Sequence, residues 1–378
     1  MWKEGKIIKK KVLFGITSLG FGGAERVLID IVNCLVDKYD VTIFSIYDDG
    51  ALKKELNEKV HFKSLYGCEY EKLSKLGKLW SPIRILFFSK LLYLKYIKCD
   101  YDTEISFLEG PITRLFSNKN KNAKKIAWIH NDISLVFGNG IKSKMKKWID
   151  KCIYKKYDSL VFVSRDNMDS FKKIYPDIDS SKMTVIYNYI DSELIKNKAS
   201  MDELTKEIAQ SEHPVFVSVC RLVKQKAIDR FIRVHAKLIN EGYRHTICVI
   251  GDGNERNNLL KLTEELHVTD SFKIIGKKEN PYPYMKRADY FCLLSYYEGY
   301  GMVIEEAKIL NKRIVITDTA AREAIEGYNN AIVFKNDEKK IYEGLRDILL
   351  NKFNFENKEK FSYNNIENIN RILELIEK

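Results

Sequence analysis

Between Cys292 and Ala307 the chain reads Cys-Leu-Leu-Ser-Tyr-Tyr-Glu-Gly-Tyr-Gly-Met-Val-Ile-Glu-Glu-Ala, with Glu298 and Glu306 eight residues apart across a glycine-bearing turn. The apolar run Tyr290 to Leu294 predicts a buried parallel strand, and Ser295 to Gly301 a loop. From Met302 the pattern predicts a helix with Val303, Ala307 and Leu310 on one face. The first N–H groups of a helix lack intrahelical partners and stand at the positive end of its dipole, so such a start attracts anions. Carboxylates beside a bound phosphate would repel it, and must face hydroxyls or a developing positive charge instead. One ligand carrying diphosphate, ribose and sugar hydroxyls would satisfy the whole stretch. Taken alone, the acidic pair is more readily a surface helix whose first turn suits the dipole.

Other residues of the right type stand at predicted strand ends. Val215 to Val219 leads into Arg221-Leu-Val-Lys-Gln-Lys226, whose fixed positive charges suit a diphosphate. His245 to Ile250 leads into Gly251-Asp-Gly253, where the missing side chains permit a close approach to backbone. Near the N-terminus, Val12 to Leu19 leads into Gly20-Phe-Gly-Gly-Ala-Glu-Arg26 and a helix bearing Val27, Leu28, Ile31, Val32 and Leu35. The spacing of Gly20, Gly22 and Gly23 is not that of a dinucleotide fingerprint. His130 ends the strand Lys125 to Ile129, a position suited to a site, although a lone histidine is more often structural.

These ends belong to two successive series of strands and helices. Asp40–Ile46, Thr103–Phe107, Ser159–Val163 and Met183–Ile186 complete the first. Phe272–Ile275 and Arg313–Ile316 extend the second, and the last 25 residues predict two helices. The polar stretch 192–213 has no sustained apolar face and is placed as the link. The division is residues 1–195, 196–355 and a C-terminal helix in 356–378 returning towards the first domain. At 378 residues, about two domains are expected. Seven cysteines without close pairing imply free thiols in a reducing cytosol rather than disulfides or a zinc site.

The net charge of +12 calls for an anionic partner. Residues 72–98 hold seven Lys or Arg and no acid among Leu73, Leu76, Leu79, Leu86, Phe87, Leu91 and Leu94. Residues 142–156 repeat the pattern with Lys142, Lys144, Lys146 and Lys147 around Met145 and Trp148. Basic amphipathic helices suit an anionic membrane surface; a solvated helix face packed on its own core is the alternative. No run reaches the ~18 apolar residues needed to span a bilayer. No aromatic-basic motif or finger supports nucleic acid.

Five motifs in order carry a family resemblance: Gly22-Gly-Ala-Glu-Arg26, Val185-Ile-Tyr-Asn188, Arg221-x4-Lys226, Gly251-Asp-Gly253 and Ser295-x2-Glu298-Gly-x-Gly301-x4-Glu306-Ala. Over roughly residues 10–330 the chain resembles the retaining glycosyltransferases of family 4. The resemblance implies an α/β GT-B fold, two Rossmann-like doubly wound domains facing each other across a cleft. It implies that Arg221 and Lys226 hold the donor diphosphate and stabilise the leaving group without a metal. It gives ribose hydroxyls to Glu306 and donor-sugar hydroxyls to Glu298. Gly299, Tyr300, Gly301, Met302 and Val303 would offer backbone N–H groups. Gly22 and Gly23 would lie over the phosphates, and His130 near the sugar. Retention in the family implies front-face attack, with the leaving phosphate oxygen taking the acceptor proton, so no general base is assigned.

Two departures stand out. Ala227 occupies a position where the family commonly has glycine, and Ala320-Ala321 replaces a usual glycine pair. Asp177-Ile-Asp179 spells a metal motif of a different fold, without matching context. The expected enzyme is a metal-independent hexosyltransferase without a cofactor. Its donor would be a nucleotide sugar, with UDP favoured by family habit. Its acceptor would be a lipid-linked saccharide of bacterial surface polysaccharide synthesis, reached from the cytoplasmic face of the membrane. A soluble acceptor, a sugar epimerase, and a basic scaffold or nucleic-acid-binding protein are the alternatives.

Overall fold

A computed structural model describes residues 9–20, 22–48, 50–97, 100–118, 120, 122–131, 133, 141–201, 208, 211, 213–355 and 365–378. The chain divides into two compact units, Met1–Ile190 with Ile366–Lys378, and Asp191–Asn365.

The first unit is built on β1 (Lys11–Ile16), β2 (Asp40–Ser45), β3 (His61–Ser64), β4 (Thr103–Ser106), β5 (Lys124–Ile129), β6 (Ser159–Phe162) and β7 (Met183–Val185). They form one parallel sheet in the order β3-β2-β1-β4-β5-β6-β7. Continuous apolar runs such as Val12–Leu13–Phe14 suit strands covered on both faces, and all three residues are buried. Helix α1 (Gly23–Leu35) buries Val27, Leu28, Ile31, Val32 and Leu35.

Helix α2 (Lys75–Tyr96) starts at Ser74, whose hydroxyl accepts from Gly77 N at 3.0 Å. Its core face carries Ile85, Leu92 and Tyr93. The Tyr93 hydroxyl donates to Glu104 Oε1 at 2.5 Å and accepts from Lys125 Nζ at 2.9 Å, while Lys125 also pairs with Glu104. All three side chains are buried, so this triad fixes α2 to the sheet. The C-terminal helix Asn365–Glu377 docks on the same unit. Lys10 pairs with Glu377 at 2.7 Å, and the Tyr39 hydroxyl donates to Glu377 at 2.6 Å. Lys124 Nζ donates to Leu375 O at 2.5 Å.

The second unit holds β8 (Val215–Val219), β9 (Thr246–Ile250), β10 (Phe272–Gly276), β11 (Tyr290–Leu293), β12 (Arg313–Thr317) and β13 (Ala331–Phe334). The order is β10-β9-β8-β11-β12-β13, again all parallel. Strand order reverses between β8 and β11, and in the first unit between β1 and β4. In open α/β sheets the crevice beyond the strand C-termini at such a reversal is where ligands bind.

Several expectations need correction. The linking stretch contains a helix, Ser192–Lys198, capped by the Asp191 side chain, and the division falls at residue 190. Of the two helices expected in the last 25 residues, Asn365–Glu377 is present, and residues 356–364 lie outside the described residues. Edge strands β3 and β13 were not anticipated from the sequence. Phe21, Cys99 and the side chain of Lys142 lie outside the described residues. The six described cysteines are all free thiols.

Candidate active site

The reversal point of the second unit carries the loops that follow β8 and β11. The β8 loop is zipped to the β9 loop: Cys220 N donates to Ile250 O (3.0 Å), Leu222 N to Asp252 O (2.9 Å) and Glu255 N to Leu222 O (3.0 Å). A Cβ at Gly251, whose φ is +146°, would lie 1.8 Å from Cys220 O, and one at Gly253 2.3 Å from Leu222 O. The close approach these glycines permit in the structure is to the neighbouring loop. They fix the loop from which Arg221 projects into solvent.

Past Arg221, a single turn, Lys224–Lys226, leads to Ala227 and helix α3 (Ile228–Asn240). Ala227 has φ +51° and ψ +36°, a left-handed conformation that costs a non-glycine residue about 1–2 kcal/mol. The departure from glycine is thus a point of strain at the helix start. It sits next to Lys226, whose Nζ lies 2.5 Å from Glu298 Oε1. The Ser295 hydroxyl donates to the same oxygen at 2.5 Å, and Thr317 Oγ1 donates to Ser295 O at 2.7 Å. Both members of the ion pair are largely covered, with side chains 14% and 7% exposed.

The loop carrying Glu298 is strapped in place. Tyr296 N donates to Gln225 O, and Gln225 Nε2 to Tyr297 O, each at 2.9 Å. Asn336 Nδ2 donates to Tyr296 O at 2.7 Å. Buried Arg230 donates through Nη2 to Leu294 O at 2.7 Å, and its guanidinium stands 4.5 Å from the Tyr296 ring centroid. Burial lowers its pKa below the usual guanidinium value.

Helix α4 (Met302–Ile309) begins at Gly301, where φ +78° and ψ +65° favour glycine. Ile304 N donates to Gly301 O at 2.8 Å. The buried positions are Ile304, Glu305, Ala307, Lys308 and Ile309, so the apolar face differs from the expected Val303, Ala307 and Leu310. Glu305 is buried against Lys308 (2.9 Å) and accepts from the Tyr300 hydroxyl at 2.6 Å. Lys308 Nζ also donates to Ala324 O at 2.6 Å, joining α4 to the Ala320–Ile325 turn. Glu306 is only half-buried, with the Tyr282 hydroxyl 3.5 Å from Oε1. The more exposed carboxylate of the pair is therefore the one left at the helix surface.

In the first unit Gly22 caps α1, Gly23 opens it, and Arg26 grips Glu55 with two hydrogen bonds of 2.6 and 2.9 Å. His130 follows β5 and packs 4.6 Å from Phe107. Its Nε2 is buried without a partner among the described residues, and burial pushes its pKa down to about 3, so the ring is neutral. Glu109, just beyond β4, accepts from His130 N at 3.2 Å and Asn131 N at 2.8 Å. Burial raises the Glu109 pKa.

Lys226 and Glu298 are thus in direct contact, Gly299 to Val303 and Glu306 continue from them, and Arg221 lies on the adjoining loop. His130, Gly22 and Gly23 belong to the first unit. Sequence reasoning missed Arg230, Glu305 with Lys308, and Glu109. Arg230 left a signal, a charge among the apolar positions Ile228, Phe231, Ile232 and Val234. Asp177 pairs with Lys151, and Asp179 accepts from Ser181 N at 2.9 Å; both are local surface contacts.

Comparison with known proteins decides the family. The model of glycosyl transferases group 1 matches residues 200–368, and that of glycosyltransferase family 4 matches residues 21–194. The chain belongs to the group 1 glycosyltransferases of family 4. One relative of this glycosyltransferase is the N-acetylgalactosamine-N,N'-diacetylbacillosaminyl-diphospho-undecaprenol 4-alpha-N-acetylgalactosaminyltransferase of Campylobacter jejuni. The two are 28% identical over 343 residues, 88% of each chain. The O-antigen biosynthesis glycosyltransferase WclY of Escherichia coli is 23% identical, covering 82% of this chain and 80% of its own. Among solved structures, Anabaena HepE in complex with UDP and glucose matches with a TM-score of 0.73 at 17% identity, over 97% of this chain and 99% of its own. That likeness establishes the GT-B fold.

Proposed function

We propose that this glycosyltransferase moves a sugar, with retention of configuration, from a nucleoside diphosphate donor to a hydroxyl of a lipid-linked saccharide. The observation that carries the reading is the convergence of Lys226 and Glu298 at 2.5 Å, at the strand-order reversal and just before a helix N-terminus. A cation there meets the diphosphate as the bond to the anomeric carbon breaks, and a carboxylate meets sugar hydroxyls. Arg221 adds a second positive charge, and Glu306 is assigned the ribose hydroxyls. The acceptor oxygen bonds to the anomeric carbon, the carbon–oxygen bond to phosphate breaks, and the acceptor proton goes to the released phosphate oxygen. No metal is needed where fixed cations hold the diphosphate. His130, Gly22 and Gly23 are assigned to the donor by family resemblance alone.

UDP is the preferred nucleotide because HepE is described with UDP and glucose. A polyprenyl-diphosphate-linked acceptor is preferred because the Campylobacter relative's name specifies a diphospho-undecaprenol substrate. No described helix is long and apolar enough to cross a membrane. Contact with an anionic bilayer is assigned to α2 and the helix Ile141–Tyr154, where Met145 and Trp148 are exposed among lysines.

The test incubates the enzyme with UDP-sugars and a polyprenyl-diphosphate saccharide, with and without EDTA, and reads the product's anomeric configuration by NMR. Transfer with retention in EDTA supports the reading. An inverted product, or loss of transfer restored only by a divalent cation, contradicts it.

A further inference from the structure

His130 stands one residue past β5, where the sheet ladder no longer serves its peptide. Side chains from the two neighbouring strand ends grip that peptide instead. Glu109, three residues past β4, accepts from His130 N at 3.2 Å and from Asn131 N at 2.8 Å. Asn167, beyond β6, donates through Nδ2 to His130 O at 3.3 Å. The ring is held as well. Its centroid lies 4.6 Å from that of Phe107, and it stacks at 17° to Trp128 with centroids 6.3 Å apart. Phe107 and Trp128 are fully buried.

Both grips are themselves anchored. Gly110, at φ +98°, turns the chain after Glu109 into the helix Pro111–Phe116, a conformation that favours glycine. The Thr113 hydroxyl donates back to Leu108 O at 2.6 Å, and the Tyr157 hydroxyl donates to Thr113 O at 2.6 Å. On the other side, Asn167 N donates to Ser164 Oγ at 3.1 Å in the first turn of the helix Arg165–Ile174, and both residues are buried.

A loop strap alone does not account for these contacts. Among the described residues no cation pairs with Glu109, and its carboxylate is turned to the His130–Asn131 segment. N–H groups beyond a strand are ordinarily met by backbone or water, whereas a carboxylate holds them through stronger, charge-assisted bonds. His130 Nε2 and Asn167 Oδ1 are buried with no hydrogen-bond partner among the described residues, although buried polar atoms are nearly always paired. Two such atoms stand on side chains that are otherwise fixed, beside the strand ends where an open α/β sheet binds its ligand.

We propose that Glu109 and Asn167 are positioning residues, which clamp the His130 peptide from both sides and thereby aim its imidazole at the reacting sugar. The inference rests on the assignment of His130 to the donor above. It makes the clamp, and not His130 alone, part of what accelerates transfer, because small misplacements of a group beside the reacting atoms are costly in rate.

A double-mutant cycle on the full-length enzyme tests it, with transfer from a UDP-sugar to a polyprenyl-diphosphate saccharide as the readout. Glu109→Ala should lower kcat about ten- to a hundredfold while UDP affinity stays unchanged. Glu109→Gln, which keeps a carbonyl oxygen for one N–H, should recover part of that loss, and Asn167→Ala should cause a smaller loss of the same kind. In a His130→Ala background neither alanine variant should cost anything further. Thermal stabilisation by UDP checks that every variant is folded. Independently of activity, the ring-nitrogen NMR signals of His130, identified by their disappearance in His130→Gln, should be single in the wild type and split or broadened in Glu109→Ala. Losses that multiply in the His130→Ala background overturn the proposal, since Glu109 would then act on its own. So does a glutamine variant as impaired as the alanine one, or a His130 signal that Glu109→Ala leaves unchanged. If His130→Ala transfers normally, the assignment of His130 falls and the positioning role with it. If the wild-type enzyme transfers sugar from no donor, the functional reading falls, and the NMR comparison alone decides whether the clamp exists.

Discussion

Glu298→Gln should move nucleotide binding and sugar transfer in opposite directions. In the structure Lys226 Nζ lies 2.5 Å from Glu298 Oε1, and neither side chain is more than 14% exposed. A diphosphate that recruits Lys226 must draw it from this carboxylate. Stranding one member of a buried pair costs about 3–5 kcal/mol, much of which a new phosphate contact restores. Glutamine keeps the shape and can still accept from the Ser295 hydroxyl, but it no longer competes for the lysine. UDP should therefore bind about 5- to 30-fold more tightly to the variant, equivalent to about 1–2 kcal/mol. Transfer should fall by about 100-fold or more, because the charged acceptor for donor-sugar hydroxyls is gone. Isothermal titration with UDP and a transfer assay on the same sample provide both readings. Unchanged or weaker UDP binding would refute the competition between carboxylate and diphosphate.

Other expectations follow from the geometry. Lys226→Ala should reduce transfer by about 100-fold or more while circular dichroism stays native; normal turnover would remove its diphosphate role. Glu306→Ala should weaken UDP binding by about tenfold, and unchanged affinity would refute the ribose assignment. Gly251→Ala, with its Cβ 1.8 Å from Cys220 O, should lower stability by about 3 kcal/mol or more in urea. Gly67→Ala, at φ +60° with open space around it, should cost only about 1 kcal/mol. Acid sensitivity is a further expectation. His235 Nδ1 and His245 Nε2 lie 2.8 Å apart in the core, and burial pushes their pKa values down to about 2 and about 4. Unfolded histidine takes up its proton near pH 6.5, so their contribution is present above that pH and is lost as pH falls, through about 4 for His245 and on towards about 2 for His235. The urea midpoint should drop over that window, and a flat profile would contradict a neutral buried pair.

Much of this fold was legible because parallel strands covered on both faces are written as continuous apolar runs. Val215–Val219 matches its predicted bounds, and β1, β5, β9 and β11 lie within a residue or a few of theirs. The edge strands β3 and β13 escaped for the same physical reason, while the edges β7 and β10 were marked by apolar runs. His61–Ser64 is four residues long and alternates between exposed and half-covered positions, so no run marks it. The helix Ser192–Lys198 buries only Ile195, too little for a periodic signal.

At the site, residue types and chain order could be read, but contacts could not. Nothing local pairs Lys226 with Glu298, 72 residues away. Glu305 and Lys308 are three apart on a helix, a spacing that ordinarily reads as an exposed pair, and here both are buried. The glycines at 251 and 253 were visible, but the backbone they accommodate was not. Helix α2 breaks at Phe88, where there is no glycine or proline, and only Pro82 hinted that it is not a straight rod.

The claim on which the account depends is that the loops after β8 and β11 bind a nucleoside diphosphate. Thermal unfolding against a panel of nucleoside diphosphates and their sugars tests it directly, because a ligand that binds only the folded state raises the midpoint by mass action. The account predicts a selective rise with UDP or a UDP-sugar, lost in Arg221→Ala. A folded protein whose midpoint no nucleoside diphosphate moves would contradict it.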